Sequence, residues 1–157
     1  MTIEATYLIP ASEYGRVQGL TKLDAFARLE LIADMCRLNA LNAVKRAGSG
    51  HLGTSFSAMD ILVLLYHRRL NVREVGPESD DRDVFLSSKG HDVPAQYSVL
   101  HSIGIVPPEK LLRLRRLGGL EAHPNVQVRG IEANTGSLEW GSRREGRRRR
   151  EGASWRS

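Results

Sequence analysis

The chain has 157 residues, 41% of them hydrophobic, and a formal net charge of +5 at pH 7, which fits one globular domain with a modest core. A single cysteine, Cys36, excludes a disulfide framework and a cysteine metal site, and it favours a cytoplasmic location. The N-terminus shows no export signal, and the longest apolar run, residues 61–66, is too short to span a bilayer. We therefore expect no membrane insertion.

The positive charge is concentrated at the C-terminal end of the chain. Residues 139–157 hold seven arginines and three glutamates, whereas the rest of the chain holds 16 basic and 15 acidic residues. A positive net charge often indicates a nucleic-acid partner. Here that argument rests on the tail alone, so nucleic acid is not expected as the main partner.

The first strong helix signal follows an N-terminal extension, residues 1–20. Thr21 and Asp24 are predicted to form a capping pair, and apolar residues then recur every three or four positions. Gly48 ends this pattern. The sequence therefore predicts a surface helix that lies on a core, with its charged side chains in solvent.

A glycine-rich loop, residues 47–55, follows this helix and surrounds a single histidine, His51. Glycines at this density let the backbone adopt positive φ and approach a ligand closely. An imidazole exchanges protons near neutral pH, which makes His51 the reactive group of the loop. For an isolated loop of this kind, a flexible connector is the alternative interpretation.

A second helix is predicted after the loop, capped by Ser57 with Asp60 at its third position. The apolar run 61–66 predicts that this helix is buried on all sides. His67 at its end is assigned a structural role. The acidic residues in 78–83 are interpreted as a solvated loop, because they lack the glycine turn and spaced ligands of a calcium loop.

Residues 84–86 predict a short buried strand, followed by Ser-Lys-Gly-His at 88–91 and a helix over 93–103. A loop at the carboxyl end of a strand places Lys89, His91 and backbone amides where α/β folds bind phosphates. A tight turn with a surface lysine is an equal alternative for this short motif alone.

The rest of the chain adds a short helix and two further loops. Residues 107–117 predict a basic helix whose arginines form a solvated face, because no aromatic residues interleave to stack bases. His101, late in a packed helix, is assigned a structural role. A third histidine, His123, lies in a loop, and small residues return at 132–138.

Four ordered motifs resemble the N-terminal part of transketolase and its separately encoded N-terminal subunits. They are Gly-His-Leu-Gly at 50–53, Ser-Lys-Gly-His at 88–91, Ala-His-Pro at 122–124 and Thr-Gly-Ser-Leu at 135–138. The likeness covers about residues 25–138. It implies an α/β fold in which residues 21–138 form the helix-rich N-terminal portion of a parallel-sheet, thiamine diphosphate-binding domain.

The resemblance also implies the activity and the site. In this family thiamine diphosphate and Mg²⁺ lie between two subunits or domains, and a two-carbon ketol unit passes between sugar phosphates. His51 is expected in proton transfer or orientation near the reacting carbon, and His123 is expected to bind substrate hydroxyls. His91 resembles the residue near the cofactor diphosphate, while Gly136 and Leu138 resemble contacts around the aminopyrimidine. Imidazoles suit proton movement among hydroxyls in such a pocket.

The chain departs from the family pattern after Leu138. It continues Glu-Trp-Gly-Ser at 139–142 where transketolases continue Gly-x-Gly, and the Gly-Asp-Gly segment with its Mg²⁺ ligands has no counterpart. We therefore expect no metal-binding residue here and a truncated segment, inactive alone, that needs a C-terminal transketolase subunit or second protomer. A one-base frame shift at Glu139 permits Gly-x-Gly-Ile, so residues 139–157 are predicted to be out of frame and disordered.

Three alternatives remain at this point. A fragment of deoxyxylulose-phosphate synthase would share the cofactor and a similar Gly-His-x-Gly loop, although its second motif is expected to differ from Ser-Lys-Gly-His. A non-catalytic polyanion binder would use the basic tail, with an affinity that falls steeply with salt. A nonfunctional fragment would not fold stably. The sugar substrate and the identity of the partner stay open.

Overall fold

The computed structural model describes residues 7–136, and helices dominate this part of the chain. A π-helical turn, Leu65–Arg69, extends the third helix, and a 3₁₀ turn, Gly90–Asp92, precedes the fifth. The six α-helices are α1 (Ala11–Gln18), α2 (Ala25–Ala47), α3 (Leu52–Leu64), α4 (Val72–Val75), α5 (Val93–Ser102) and α6 (Pro108–Leu111).

The helix-rich character is confirmed, whereas a parallel sheet is not, because residues 7–136 contain no strand. Val84 and Leu86 are exposed, so the expected buried strand at 84–86 is not confirmed either. A strand needs a hydrogen-bonded neighbour, and the described residues offer none. Phe85 alone turns inward, where its ring meets Tyr66 edge to face at a centroid distance of 5.8 Å. Leu138 and the tail lie outside the described residues.

The core forms where α2, α3 and α5 pack together. Every residue of α5 is buried, as expected for a helix surrounded by other elements. Ser98 of α5 donates its hydroxyl to the carbonyl of Cys36 in α2 at 2.7 Å, which satisfies the polar group inside the core. Among the described residues, no helix combines the length and the apolar character needed to cross a bilayer.

The ends of α2 follow from their capping residues. The Asp24 carboxylate accepts hydrogen bonds from the backbone nitrogens of Phe26 and Ala27 at 2.8 and 3.0 Å, so Asp24 is the N-cap. The predicted role of Thr21 in the cap is wrong, because the helix begins only after Asp24. Gly48 ends the helix with a φ of 72°, as predicted, since glycine adopts the left-handed conformation without a Cβ penalty.

The start of α3 corrects a second prediction. His51 is the N-cap, and Ser57 lies inside the helix, where its hydroxyl donates to the Thr54 carbonyl at 3.1 Å. Because the glycine loop at 48–51 reverses the chain within a few residues, the helix begins as soon as the loop ends. The helix is also not buried on all sides, since Ile61 is 63% exposed.

His67 has the structural role that its position at a helix end predicted. Its Nδ1 lies 2.7 Å from the Gln18 amide nitrogen, and its Nε2 lies 2.8 Å from the Ser102 hydroxyl oxygen. Ser102 donates to the Val99 carbonyl, so these contacts fit a neutral ring that donates from Nε2. Burial, aided by the charge of Arg73, lowers the pKa of His67 to about 4.

The described part of the N-terminal extension packs on the core through Asn39. The Asn39 side chain pairs with both backbone polar groups of Ile9 at 2.8 and 2.9 Å, and it donates to the Tyr14 hydroxyl at 2.8 Å. His101, buried in α5, contacts the Val106 carbonyl at 2.8 Å and the Ile9 carbonyl at 3.1 Å. These bonds hold the extension against α2 and α5, and they agree with a structural role for His101.

Candidate functional site

Two of the three loop histidines meet directly. His51 stands at the start of α3, and His91 lies in the 3₁₀ turn that leads into α5. Their rings contact edge to face, with centroids 5.2 Å apart and planes inclined at 66°. The packing of α3 against this turn therefore unites the first two histidine motifs.

The third histidine, His123, is brought near the other two by contacts at two glycines, Gly90 and Gly136. A Cβ on Gly90 would lie 2.7 Å from the backbone nitrogen of Gly136, which is closer than real Cβ atoms approach. Gly136 has a φ of 129°, and a Cβ there would lie 3.1 Å from Cγ of His123. Side chains would separate these loops, so glycine at both positions lets the backbone of 90–91 abut the loops at 123 and 136.

Helix α5 fixes the loop that carries His123. The Tyr97 hydroxyl donates to the His123 carbonyl at 3.2 Å, while the imidazole itself is exposed. Further along, the backbone nitrogen of Val126 donates to the Asn134 side-chain oxygen at 2.9 Å. These bonds hold the two ends of the loop together, which brings Gly136 back to His123.

Buried polar groups lie in the segments that make this contact. The Thr135 hydroxyl oxygen is buried without a hydrogen-bond partner among the described residues, which is uncommon and is typical of a site that receives a ligand or water. Asp92, beside His91, is buried and accepts from the Ser87 hydroxyl at 2.9 Å. Burial raises the pKa of the Asp92 carboxyl, and the Ser87 hydrogen bond opposes that shift.

Next to His123 the structure shows an open groove of about 500 Å³. Its volume is in the range of ligand sites in proteins. The groove is lined by Arg115, Arg116, Leu120, Glu121, Ala122 and His123.

The two arginines of this groove are exposed, as the solvated face predicted for 107–117 requires, but the predicted helix ends early and each arginine also makes a bond distant in sequence. The α-helix stops at Leu111, and turns follow it. The Arg115 guanidinium donates to the Ser49 hydroxyl at 2.8 Å, and the Arg116 guanidinium donates to the Arg46 carbonyl at 2.9 Å. Both reach the end of α2 and the glycine loop, which are distant in sequence. No local pattern marks such a long-range contact, so sequence reasoning missed it.

The described residues contain no cluster of three or more His, Cys, Asp or Glu side chains arranged for a metal ion. Two acidic side chains of the segment 78–83 instead pair with residues distant in the sequence. Asp83 accepts from the Asn71 backbone nitrogen at 2.9 Å, and Glu78 pairs with Arg129 at 2.7 Å.

Residues 29–144 match the family model of the transketolase thiamine diphosphate binding domain. The chain belongs to this family. The match extends a few residues beyond Leu138, into the part of the chain that the structure does not describe. It confirms the resemblance to transketolase, and the comparisons do not favour the deoxyxylulose-phosphate synthase alternative.

Three curated relatives show how much of the family the chain represents. An apulose-4-phosphate transketolase subunit from Phocaeicola vulgatus is 37% identical over 114 residues, which are 72% of this chain and 41% of that protein. Mouse transketolase-like protein 2 is 31% identical over 75% of this chain and 19% of its own length. Mouse transketolase is 33% identical over 69% of this chain and 18% of its length. The chain therefore spans less than half of each relative.

The residues of the transketolase-family domain fit the cofactor that the family implies. The backbones of Gly90 and Gly136 abut, and the neighbouring Thr135 hydroxyl is buried without a hydrogen-bond partner among the described residues. His91 follows Gly90 in the chain, and its ring contacts that of His51. A phosphate-bearing ligand is compatible with such backbone and imidazole surroundings.

Proposed function

We propose that this chain supplies one side of a site that transfers a two-carbon ketol unit between sugar phosphates. The observation that carries the proposal is the convergence of the histidine loops. His51 meets His91 ring to ring, and Gly90 meets Gly136, which in turn lies against His123. In a transketolase-family domain, this arrangement supports one shared surface for cofactor and sugar binding.

Each side chain has a distinct role in this proposal. When bound, thiamine diphosphate supplies the carbon nucleophile. His91 binds the diphosphate, and Gly136 and Leu138, the latter outside the described residues, shape the space for the aminopyrimidine. His51 orients the substrate carbonyl and transfers a proton to or from the carbonyl oxygen. His123 donates a hydrogen bond to a sugar hydroxyl. The imidazoles of His51 and His123 act as positioned acids or bases, which suits a reaction that transfers protons between oxygen atoms.

A second chain completes the site in this proposal. The relatives that match this chain are longer, and the one from Phocaeicola vulgatus is itself named as a transketolase subunit. We assign the missing half of the site to a C-terminal transketolase subunit or a second protomer, together with Mg²⁺ and its ligands. The chain alone then has no ketol transfer activity. The buried free thiol of Cys36 suits the cytoplasm as the place of assembly.

Calorimetry and a ketol transfer assay test the proposal together. Thiamine diphosphate is titrated into the chain, with and without Mg²⁺, and then into a mixture with a complementary C-terminal transketolase chain. We expect no saturable binding at micromolar cofactor and no turnover for the chain alone, and both in the mixture. Turnover by the isolated chain would contradict the need for a second chain. An inactive mixture that binds no cofactor would contradict the proposed function.

A further inference from the structure

The two loops that meet at Gly90 and Gly136 are joined a second time by an ion pair. The Arg82 guanidinium donates to the Glu132 carboxylate at 2.7 Å, across 50 positions of the sequence. Arg82 lies in the segment that leads to Gly90, and Glu132 lies four residues before Gly136. We infer that these two are positioning residues, which hold the loop 131–136 against Gly90 and thereby set the affinity for the cofactor. The link to the cofactor rests on the proposed function, whereas the positioning is argued from the contacts.

This ion pair is the most buried one among the described residues. The side chains of Arg82 and Glu132 are 20% and 16% exposed, whereas every other pair there has one side chain that is 62–77% exposed. Arg82 also donates to the Ser79 carbonyl at 2.8 Å, and its Nε is buried without a partner in this part of the chain. A buried charge that loses its partner is costly. The pair therefore stays closed, and its directed bonds fix how the two segments align.

The surroundings of Glu132 are also packed. Glu132 lines a narrow cleft together with Phe85, Gln96 and Thr135. Burial raises the pKa of the nearby Tyr66 hydroxyl to about 12, and the charge of Glu132 adds to this shift. The ring of Tyr66 in turn packs edge to face on Phe85. The carboxylate is thus held among side chains of the core as well as by its arginine.

The position of Glu132 determines where the following residues lie. Three residues later, the Thr135 carbonyl oxygen and the backbone of Gly136 face Gly90, and a Cβ on Gly90 would collide with both. These groups belong to the main chain, so their approach depends on where the loop is anchored. A binding site needs its groups held within about 0.5 Å of the productive geometry. A fixed anchor next to this contact meets that need.

A second ion pair joins the same two stretches of the chain and provides a matched control. The Arg129 guanidinium donates to the Glu78 carboxylate, also at 2.7 Å, but these side chains are 62% and 71% exposed. Exposed ion pairs contribute little to stability, because water and salt screen them. Glu78→Gln therefore removes a carboxylate charge of the same geometry and should leave the loop in place.

Two variants remove the buried pair in different ways. Glu132→Gln keeps the size of the side chain and loses its charge, which leaves the Arg82 guanidinium without its carboxylate. The double variant Arg82→Met/Glu132→Leu replaces both groups with apolar side chains, an exchange that commonly keeps or raises stability. The double variant thus removes the directed bonds without leaving a buried charge. It separates the positioning of the loop from the stability of the fold.

Nuclear magnetic resonance of the full chain measures the position of the loop. The nuclear Overhauser contact between the α-protons of Gly90 and Gly136 reports their approach. Exchange of the Val126 amide proton, which is bonded to Asn134, reports whether the loop stays closed. In both variants we expect this contact to disappear and this amide to exchange about tenfold faster. In the double variant the amides of α2 and α5 should keep the rates of the parent, and Glu78→Gln should change neither readout.

Calorimetric titration of thiamine diphosphate into the complex with a complementary C-terminal chain tests the link to the cofactor. We expect the Kd to rise about tenfold in Glu132→Gln and in the double variant, and to stay unchanged in Glu78→Gln. Loss of the contact between the glycines with an unchanged Kd would overturn this link.

The readouts on the chain alone decide the positioning role. An intact contact between Gly90 and Gly136 in both variants, or an equal loss in Glu78→Gln, would overturn it. Faster exchange throughout α2 and α5 in the double variant would show a general structural role instead. If the parent complex bound no cofactor while the contact was present in the parent and lost in the variants, the proposed function would be wrong and the positioning role would stand.

Discussion

Gly90 and Gly136 lie backbone against backbone, so a Cβ on Gly90 would stand 2.7 Å from the nitrogen of Gly136. The atoms that it would meet belong to the main chain and have no rotamer with which to move away. This contact joins the loop before α5 to the last loop that the structure describes. The geometry of the whole site therefore depends on the absence of a side chain at Gly90.

The first prediction is that Gly90→Ala destabilises the folded chain by about 1–3 kcal/mol, the usual cost of overpacking. Urea unfolding measures the change. Gly15→Ala is the matched control, because a Cβ at Gly15 meets nothing within 4 Å and the residue lies in α1. Alanine there should stabilise the chain by about 0.5–1 kcal/mol. Equal stabilities of Gly90→Ala and the parent would mean that the two loops do not touch.

The second prediction concerns the pH dependence of stability through His67. Burial lowers the pKa of His67 to about 4 in the folded chain, whereas an unfolded histidine titrates near about 6.5. The unfolded state therefore binds the proton first, and the stability present above pH ~6.5 is lost as the pH falls toward 4. The expected loss is about 3 kcal/mol across this window.

A comparison of the parent with His67→Gln isolates this effect. Glutamine can donate to Ser102 and accept from Gln18, but it does not titrate. Asp92 acts in the opposite direction, because its raised pKa makes the folded state bind the proton more tightly as the pH falls. Both chains contain Asp92, so its contribution cancels in the difference. Parallel stability curves from pH 4 to 7 for the two chains would contradict the prediction.

The third prediction uses the Cys36 thiol as a probe of folding. Cys36 is fully buried, and burial raises the pKa of its thiol to about 12, so reactive thiolate is scarce. A disulfide reagent at pH 8 should label the folded chain at least about 10³-fold more slowly than the chain in urea. Immediate labelling in native buffer would show that the isolated chain does not hold this core together.

The sequence predicted features that depend on one residue or on a motif. The end of α2 at Gly48 depends on the φ of that one residue, so the sequence shows it directly. The resemblance carried by the motifs is confirmed by the family match. The helix starts were harder to predict. Thr21 and Asp24 are both good caps, and the choice depends on where the chain turns onto the core, which no local pattern contains.

Features that depend on distant contacts were missed. The run 84–86 has the composition of a buried strand, yet the described chain gives it no neighbouring strand. Arg115 is exposed, as predicted, but neither its positive φ nor its bond to Ser49 leaves a local signal in the sequence. The apolar run over 61–66 predicts a buried Ile61, which is instead exposed. An uninterrupted apolar run does not show which face of the helix packs on α2 and α5.

The last prediction separates the roles of two histidines in the complex of this chain with a complementary C-terminal chain. His91→Ala should raise the thiamine diphosphate concentration needed for half-maximal activity about tenfold, with little change in the KM for sugar phosphates. His123→Ala should instead raise the KM for sugar phosphates about tenfold, with little change in the thiamine diphosphate concentration needed for half-maximal activity. The reason is geometric: His91 packs on His51 next to the contact between Gly90 and Gly136, whereas the imidazole of His123 is exposed and lines the open groove.

Steady-state kinetics with varied cofactor and varied sugar phosphate measure both parameters for each variant. His91→Gln and His123→Gln serve as matched controls, because an amide keeps one hydrogen bond and should recover part of each loss. Direct calorimetric titration of the cofactor into the complex checks the His91 result without turnover. If both alanine variants raised the two parameters equally, the histidines would share one role, and the separation of a diphosphate side from a hydroxyl side would be wrong.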